Sequence, residues 1–261
     1  MKDFTEISSK DNSVFKLLSM LCDSSKKRQK EGLFVIEGLR ICTDAYDNNV
    51  KIKWLIVSKN GLQKYSDDIE KFSAVSEKCC ILSDDLFKKI SDTVSPQGII
   101  MIGEIPENPA FTNKSGRYVA LENLQDPSNL GAVARTAEAL GINGIIITGD
   151  SCDPYSPKAL RASMGTLLRL PLYITDDIIE FSKKNGLRTV SCVVDKTAEN
   201  ISNFVFMNGD VLLIGNEGNG LTDETKKKSD RLITIRMRGR AESLNASNAA
   251  AIAMWEMCKK R

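Results

Sequence analysis

From Lys53 to Val57 the chain reads KWLIV, and from Gly98 it reads GIIMIG. Short unbroken apolar runs of this kind, bounded by polar turns, predict strands buried on both faces. LFVIEG from Leu33 and CCIL from Cys79 complete a first set of strands. Apolar residues three and four apart predict helices ending at 17–21 and around Leu39–Tyr46, Asp67–Phe72 and Asp84–Ile90. GEIPENPAFTNKSGR, Gly103 to Arg117, then interrupts the pattern with two prolines, two glycines and small polar residues, and reads as an interdomain linker. Beyond it, strands are predicted at Tyr118–Leu121, Gly144–Thr148, Pro171–Ile174, Thr189–Val194, Val211–Ile214 and Leu232–Ile235. Helical patterns fall between most of them, and a last helix runs from about Asn248 to Cys258. Strands alternating with helices predict parallel sheets covered on both faces, so the fold class is α/β in two domains. The expected division is residues 1–105, a linker at 106–117, and 118–261.

Composition narrows the chemistry. The 261 residues contain no histidine, which excludes a Ser-His-Asp triad, a Cys-His pair and a histidine metal cluster. Seven scattered cysteines without C-x-x-C spacing read as small buried hydrophobes in a reducing compartment, and no metal site is expected. No apolar run reaches the roughly 18 residues of a membrane span, and MKDFTEISSK has no apolar leader, so a cytoplasmic protein without a membrane partner is expected. A net charge of +2 neither demands nor excludes nucleic acid, so any phosphate-binding surface must come from local clustering.

Three stretches of the second half carry more polarity than their elements need. In NLQDPSNLGAVAR, Asn123 to Arg135, Asn129 is the expected N-cap of a helix whose buried stripe is Leu130, Val133, Ala137 and Leu140. Arg135 falls on the opposite side and leans back toward the Asn129 loop, which fits an anion or hydroxyl site as well as a solvated arginine beside a cap. In VLLIGNEGNGL a buried strand runs into three glycines within six positions, which requires positive φ or close backbone approach. Glu217 inside that loop disfavours a phosphate ligand and favours one that lacks phosphate or carries positive charge. The third stretch, LITIRMRGRAESLNASNAAAI, places Arg236, Arg238 and Arg240 after a strand end, where open α/β sheets bind ligands. One of Asn245 and Ser247 suffices to cap the helix that follows, leaving Ser243 and the other amide surplus to structure.

Together, DPSNLGAVARTAEALG, LLIGNEGNGL and IRMRGRAESLNASNAAAI resemble, in order and spacing, the three signature motifs of the SpoU/TrmH family of RNA ribose 2′-O-methyltransferases, within the SPOUT superfamily. PKALRASMGTLLRLPL from Pro157 is similar to the family's intermediate segment, and FVIEGLR from Phe34 and SDTVSPQGI from Ser91 resemble its substrate-binding domain. The resemblance covers roughly residues 28–261 and implies an RNA-binding N-terminal domain and a knotted catalytic domain. That second domain would carry a deep trefoil knot forming an S-adenosylmethionine pocket, in a homodimer packed through the knot. It also implies functional roles for Asn129, Arg135, Glu217, Ser243 and Asn245. Gly215, Asn216, Gly218, Ile235, Met237, Ser243 and Leu244 are expected to line the cofactor pocket.

A guanidinium stays charged in proteins, so Arg135 is expected to bind the target phosphate and stabilise developing alkoxide rather than act as base. Ser243 and Asn245 would orient the nucleophile or its phosphate. Arg238 and the basic run Lys26, Lys27 and Arg28 are candidate RNA contacts alongside Arg135, although a run of this kind is more often a solvated loop. The expected substrate is large-subunit (23S) ribosomal RNA; transfer RNA, or a non-catalytic RNA-binding role, are the alternatives.

Overall fold

A computed structural model describes residues 2–91 and 93–259, so Asp92 of the SDTVSPQGI stretch lies outside the described residues. The chain forms two compact units: residues 1–107 with 153–169, and residues 108–152 with 170–261.

In the first unit the elements run β1 (Phe4–Ile7), α1 (Ser13–Asp23), α2 (Ser25–Glu31), β2 (Leu33–Glu37), α3 (Leu39–Asp47) and β3 (Ile52–Ser58). They continue with α4 (Lys59–Lys64), α5 (Ser66–Val75), β4 (Ser76–Leu82), α6 (Asp84–Ile90) and β5 (Ile99–Glu104). The sheet order is β1-β4-β3-β5-β2. It is mixed rather than wholly parallel, because β5 runs antiparallel to both β2 and β3. Phe15, Leu18 and Leu21 of α1 pack with Val35, Ile56 and Ile102 in the core beneath it.

The second unit begins with β6 (Tyr118–Leu121), α7 (Pro127–Ala139) and β7 (Gly144–Thr148). The next helix, α8 (Pro157–Ser163), and the 3-10 turn at Thr166–Leu168 lie in the segment that packs with the first unit, inside the stretch expected to be catalytic. The second unit resumes with β8 (Leu172–Thr175), α9 (Ile178–Lys184), β9 (Arg188–Cys192), β10 (Glu199–Asn200), β11 (Asp210–Ile214), α10 (Asp223–Lys228), β12 (Arg231–Thr234) and α11 (Ala246–Cys258). Its sheet has the order β10-β12-β9-β11-β6-β7-β8, and every pairing in it is parallel. Fully buried Val119, Ala120, Leu212 and Leu213 at its centre explain why these strands read as continuous apolar runs. In the last helix Ala250, Ala253, Met254 and Met257 are buried, while Ile252 and Trp255 are exposed. Among the described residues no helix is long and apolar enough to cross a membrane.

Arg28 corrects the expectation of a basic RNA-contacting run. It is the one buried residue of α2. Its Nε donates to Asp153 Oδ2 at 2.6 Å and its Nη1 to the carbonyls of Leu21 and Cys22 at 2.6 and 3.2 Å. A guanidinium so enclosed is unavailable to phosphate. Lys26 is exposed, and Lys27 pairs with Glu31 at 2.9 Å one helical turn on.

Candidate active site

Strand β6 delivers the chain to Glu122, and the loop from Asn123 leads into α7. That helix is capped by Asp126, whose Oδ1 accepts from Ser128 N at 2.9 Å, with Pro127 opening the first turn. Asn129, the expected cap, is instead the third helical residue. Its side chain is therefore free of capping duty, and it is buried. Leu130, Val133 and Ala137 form the buried stripe as expected, with Ala134 in place of Leu140.

The freed amide bridges two distant segments. Asn129 Nδ2 donates to Glu217 Oε1 at 2.9 Å, and Asn129 Oδ1 accepts from Asn245 Nδ2 at 3.0 Å. Asn245 Oδ1 in turn accepts from the backbone N–H groups of Ser247 and Asn248, capping α11. The two ends fix the direction of this chain: an ionised carboxylate only accepts, and helix amides only donate, so both Asn side chains have a single satisfying orientation. Glu217 Oε2 and Oε1 also accept from the backbone N–H groups of Gln125 and Asp126 at 3.0 and 2.9 Å. Burial pushes its carboxyl up, but the Asn129 amide and these backbone donors outweigh that and hold it below the ordinary value of 4.5. Glu217 thus staples the first polar stretch to the glycine loop and stays ionised.

The glycines have a local cause. Asn216 and Gly220 exchange backbone hydrogen bonds of 3.0 and 2.9 Å across the loop. A Cβ on Gly215 would sit 2.1 Å from the Gly220 carbonyl carbon and the Leu221 nitrogen, and Gly220 itself has φ +69°. Close approach is therefore by the chain to itself. Asn216 completes the loop: its Oδ1 accepts from Gly218 N and Asn219 N, and its Nδ2 donates to Asn123 O at 2.8 Å.

The closed loop walls a cavity of about 420 Å³, within the range of small-molecule sites. Gly215, Asn216, Glu217, Gly218, Ile235, Met237, Ser243 and Leu244 all line it, so the structure gathers every expected pocket residue. Apolar walls come from Ile214, Leu221 and Leu232, and the charged residues of the lining are three acids (Asp195, Glu217, Glu242) and one base, Lys226, itself paired with Asp223 at 2.7 Å. Cys192 also lines it; burial pushes this thiol up to about 11, which keeps it neutral and unreactive. Sequence reasoning missed Asp195 and Lys226, which lie outside the three motifs, and Glu242, which lies inside the third but was given no role there.

Arg135 is exposed on α7 and is absent from the cavity lining of its own chain. Arg238 lies with Arg236 on a neighbouring opening of about 410 Å³ that shares Ile235 and Met237 with the first.

Comparison with known proteins gives the same picture from outside. Residues 12–101 match the MRM3-like substrate binding domain. An AdoMet-bound rRNA methyltransferase from Sinorhizobium meliloti superposes with a TM-score of 0.87 at 30% identity, covering 97% of each chain. The SpoU methyltransferase AviRb from Streptomyces viridochromogenes, in complex with AdoMet, gives 0.85 at 25% identity over 95% of this chain and 97% of that one. The 23S rRNA (guanosine(2553)-2′-O)-methyltransferase RlmP of Bacillus subtilis is 26% identical over 236 residues, 90% of this chain and 92% of its own. Residues 116–255 match the SpoU rRNA Methylase family, and the chain belongs to that family.

Proposed function

We propose that this protein transfers the methyl group of S-adenosylmethionine to a ribose 2′-hydroxyl of large-subunit ribosomal RNA. The observation that carries the reading is the Glu217–Asn129–Asn245 relay, which ties the three polar stretches together at one cavity. The cavity's chemistry fits the donor: three carboxylates against one lysine suit a sulfonium and an ammonium and oppose a polyphosphate. Gly215, Asn216, Gly218, Ile235, Met237 and Leu244 would hold it. When bound, S-adenosylmethionine supplies an electrophilic methyl carbon. The ribose oxygen would take that methyl and give up its proton to solvent or transiently to Arg135.

The protein's share is mostly placement of the hydroxyl in line. Ser243, on the cavity wall, would orient the incoming ribose, and Asn245 would hold that segment in place through the relay. Arg135 would bind the adjoining phosphate and stabilise alkoxide charge. Since it lies outside its own chain's cavity, it would act at the cavity of a second copy in a homodimer. Ile252 and Trp255, exposed on the helix that packs against α7, support such a homodimer. The trefoil knot implied by the family resemblance belongs to the same reading, as does RNA capture by the first unit.

Arg135→Ala is expected to abolish methyl transfer while calorimetry shows S-adenosylmethionine affinity within a few-fold of the parent. Equal loss of both refutes the assigned role. Mapping alkali-resistant phosphodiester positions in RNA from cells with and without the protein tests the substrate. A lost position in transfer RNA, with ribosomal RNA unchanged, redirects it.

A further inference from the structure

Among the described residues of the second unit, two buried carboxylates are used by none of the roles above: Asp210, which pairs with Arg188 at 2.7 Å, and Glu122. Glu122 follows β6 and is 7% exposed. Its Oε2 accepts from Thr222 N at 2.7 Å, and its Oε1 accepts from Thr222 Oγ1 at 3.1 Å and from Thr225 Oγ1. These three donors are all neutral. Burying a carboxylate against neutral donors is costly, so a purely structural cap is a poor account of it. A cap is also already in place: Thr222 Oγ1 accepts from Thr225 N at 3.2 Å at the start of α10.

The position of Glu122 is more informative than its partners. Its backbone N–H donates at 2.9 Å to the carbonyl of Ile214, the residue before Gly215. Its side chain grips Thr222, the residue after Leu221. One residue therefore holds both the entrance and the exit of the glycine loop, and Ile214 and Leu221 are themselves walls of the cavity. The next residue, Asn123, has φ +52° and receives Asn216 Nδ2 on its carbonyl. Glu217 makes the reciprocal connection, from the middle of the glycine loop back to Gln125 and Asp126. The two loops are thus locked by a pair of carboxylates, each belonging to one loop and holding the other.

We infer that Glu122 is a positioning residue for methyl transfer: it fixes the 215–221 loop in the shape that forms the cofactor wall, without touching the cofactor. This rests on the functional reading above. Glu122→Gln keeps the side chain's size but leaves one neutral acceptor oxygen where the carboxylate offers two, so all three donors lose a charged partner and at least one faces an NH2 group instead of an acceptor.

The test measures S-adenosylhomocysteine affinity by calorimetry, 23S rRNA affinity by filter binding, and the ligand-free thermal midpoint, for the parent, E122Q and E122D. E122Q is expected to weaken S-adenosylhomocysteine at least tenfold while rRNA affinity stays within twofold, and E122D, which keeps the charge, is expected to recover part of the loss. Binding of S-adenosylhomocysteine by E122Q within twofold of the parent overturns the inference. So does a parallel loss of both affinities, the mark of general destabilisation. If E122Q does not fold, T225V removes a single donor; a severalfold loss of S-adenosylhomocysteine affinity supports the role and an unchanged affinity overturns it. A parent protein that binds no S-adenosylhomocysteine overturns the functional reading, and the role of Glu122 with it.

Discussion

Removing the Arg28 guanidinium separates the two readings of the basic run. In the structure its side chain is 5% exposed and that of Asp153 10%. Besides the ion pair it serves two carbonyls in the last turn of α1. Arg28→Ala strands a buried carboxylate, a change that costs about 3–5 kcal/mol. Asp153 Oδ1 keeps one partner, the Tyr155 N–H at 2.9 Å, which places the expected loss toward the lower end. At roughly 2–4 °C per kcal/mol for a chain of this size, the thermal midpoint of the first unit should fall by about 6–12 °C. Calorimetry reads this directly, and the transition of the second unit should move less if the two units melt separately. Combining R28M with D153N removes the uncompensated charge and keeps an acceptor for Tyr155, so the double variant should recover more than half of the loss seen in R28M. Salt titration of rRNA binding supplies the opposing outcome. A phosphate contact at Arg28 would lower the slope of log K against log salt by about one on removal. A variant stable to within about 1 kcal/mol of the parent, with that slope reduced, refutes the buried-clamp account.

Two further substitutions probe the cavity. Gly215→Ala should abolish S-adenosylhomocysteine binding in a calorimetric titration, because the added Cβ would collide with loop backbone at 2.1 Å; retained affinity would mean that the loop opens without consequence. Glu217→Gln removes a carboxyl whose folded value lies below the ordinary 4.5, so it deletes stability that is complete above that value and lost as pH falls through the lower one. The stability difference between parent and E217Q, followed by urea unfolding, should therefore shrink as pH falls below about 4.5; a constant difference would show that the carboxylate's charge is not what holds the loop.

The elements most legible in the sequence are those whose pattern has one cause. Strand Gly144–Thr148 and helix Asp84–Ile90 agree with expectation at both ends, since an unbroken apolar run or a capped amphipathic turn leaves little choice. Strand β1 escaped notice because FTEI buries only Ile7 in an edge position. The two-residue β10 has no periodicity to read. Helix α8 shows a different limit. Its apolar positions announce a buried face but not the surface that covers it; Leu160 packs toward Ile36 and Ile41 of the first unit although the stretches on either side of 153–169 belong to the second. Arg28 was misread for the same reason: its charge is local information, while its partner lies 125 residues away.

The polar surplus before the last helix needs a different account from the one that counting caps provides. A count assigns one side chain to the helix and leaves the remainder for chemistry. The structure assigns both to one side chain: Asn245 caps α11 through Oδ1 and holds Asn129 through Nδ2. The capping bond is what orients the amide so that its nitrogen faces Asn129, and Asn129 can then present its own nitrogen only to Glu217. An aspartate at 245 would cap the helix equally well, yet it would offer an acceptor to an acceptor and reverse or break the chain. The choice of asparagine over the other good caps is therefore a consequence of the carboxylate two hydrogen bonds away. Substitutions at 129, 217 and 245 should couple strongly rather than add, as members of one directional network do.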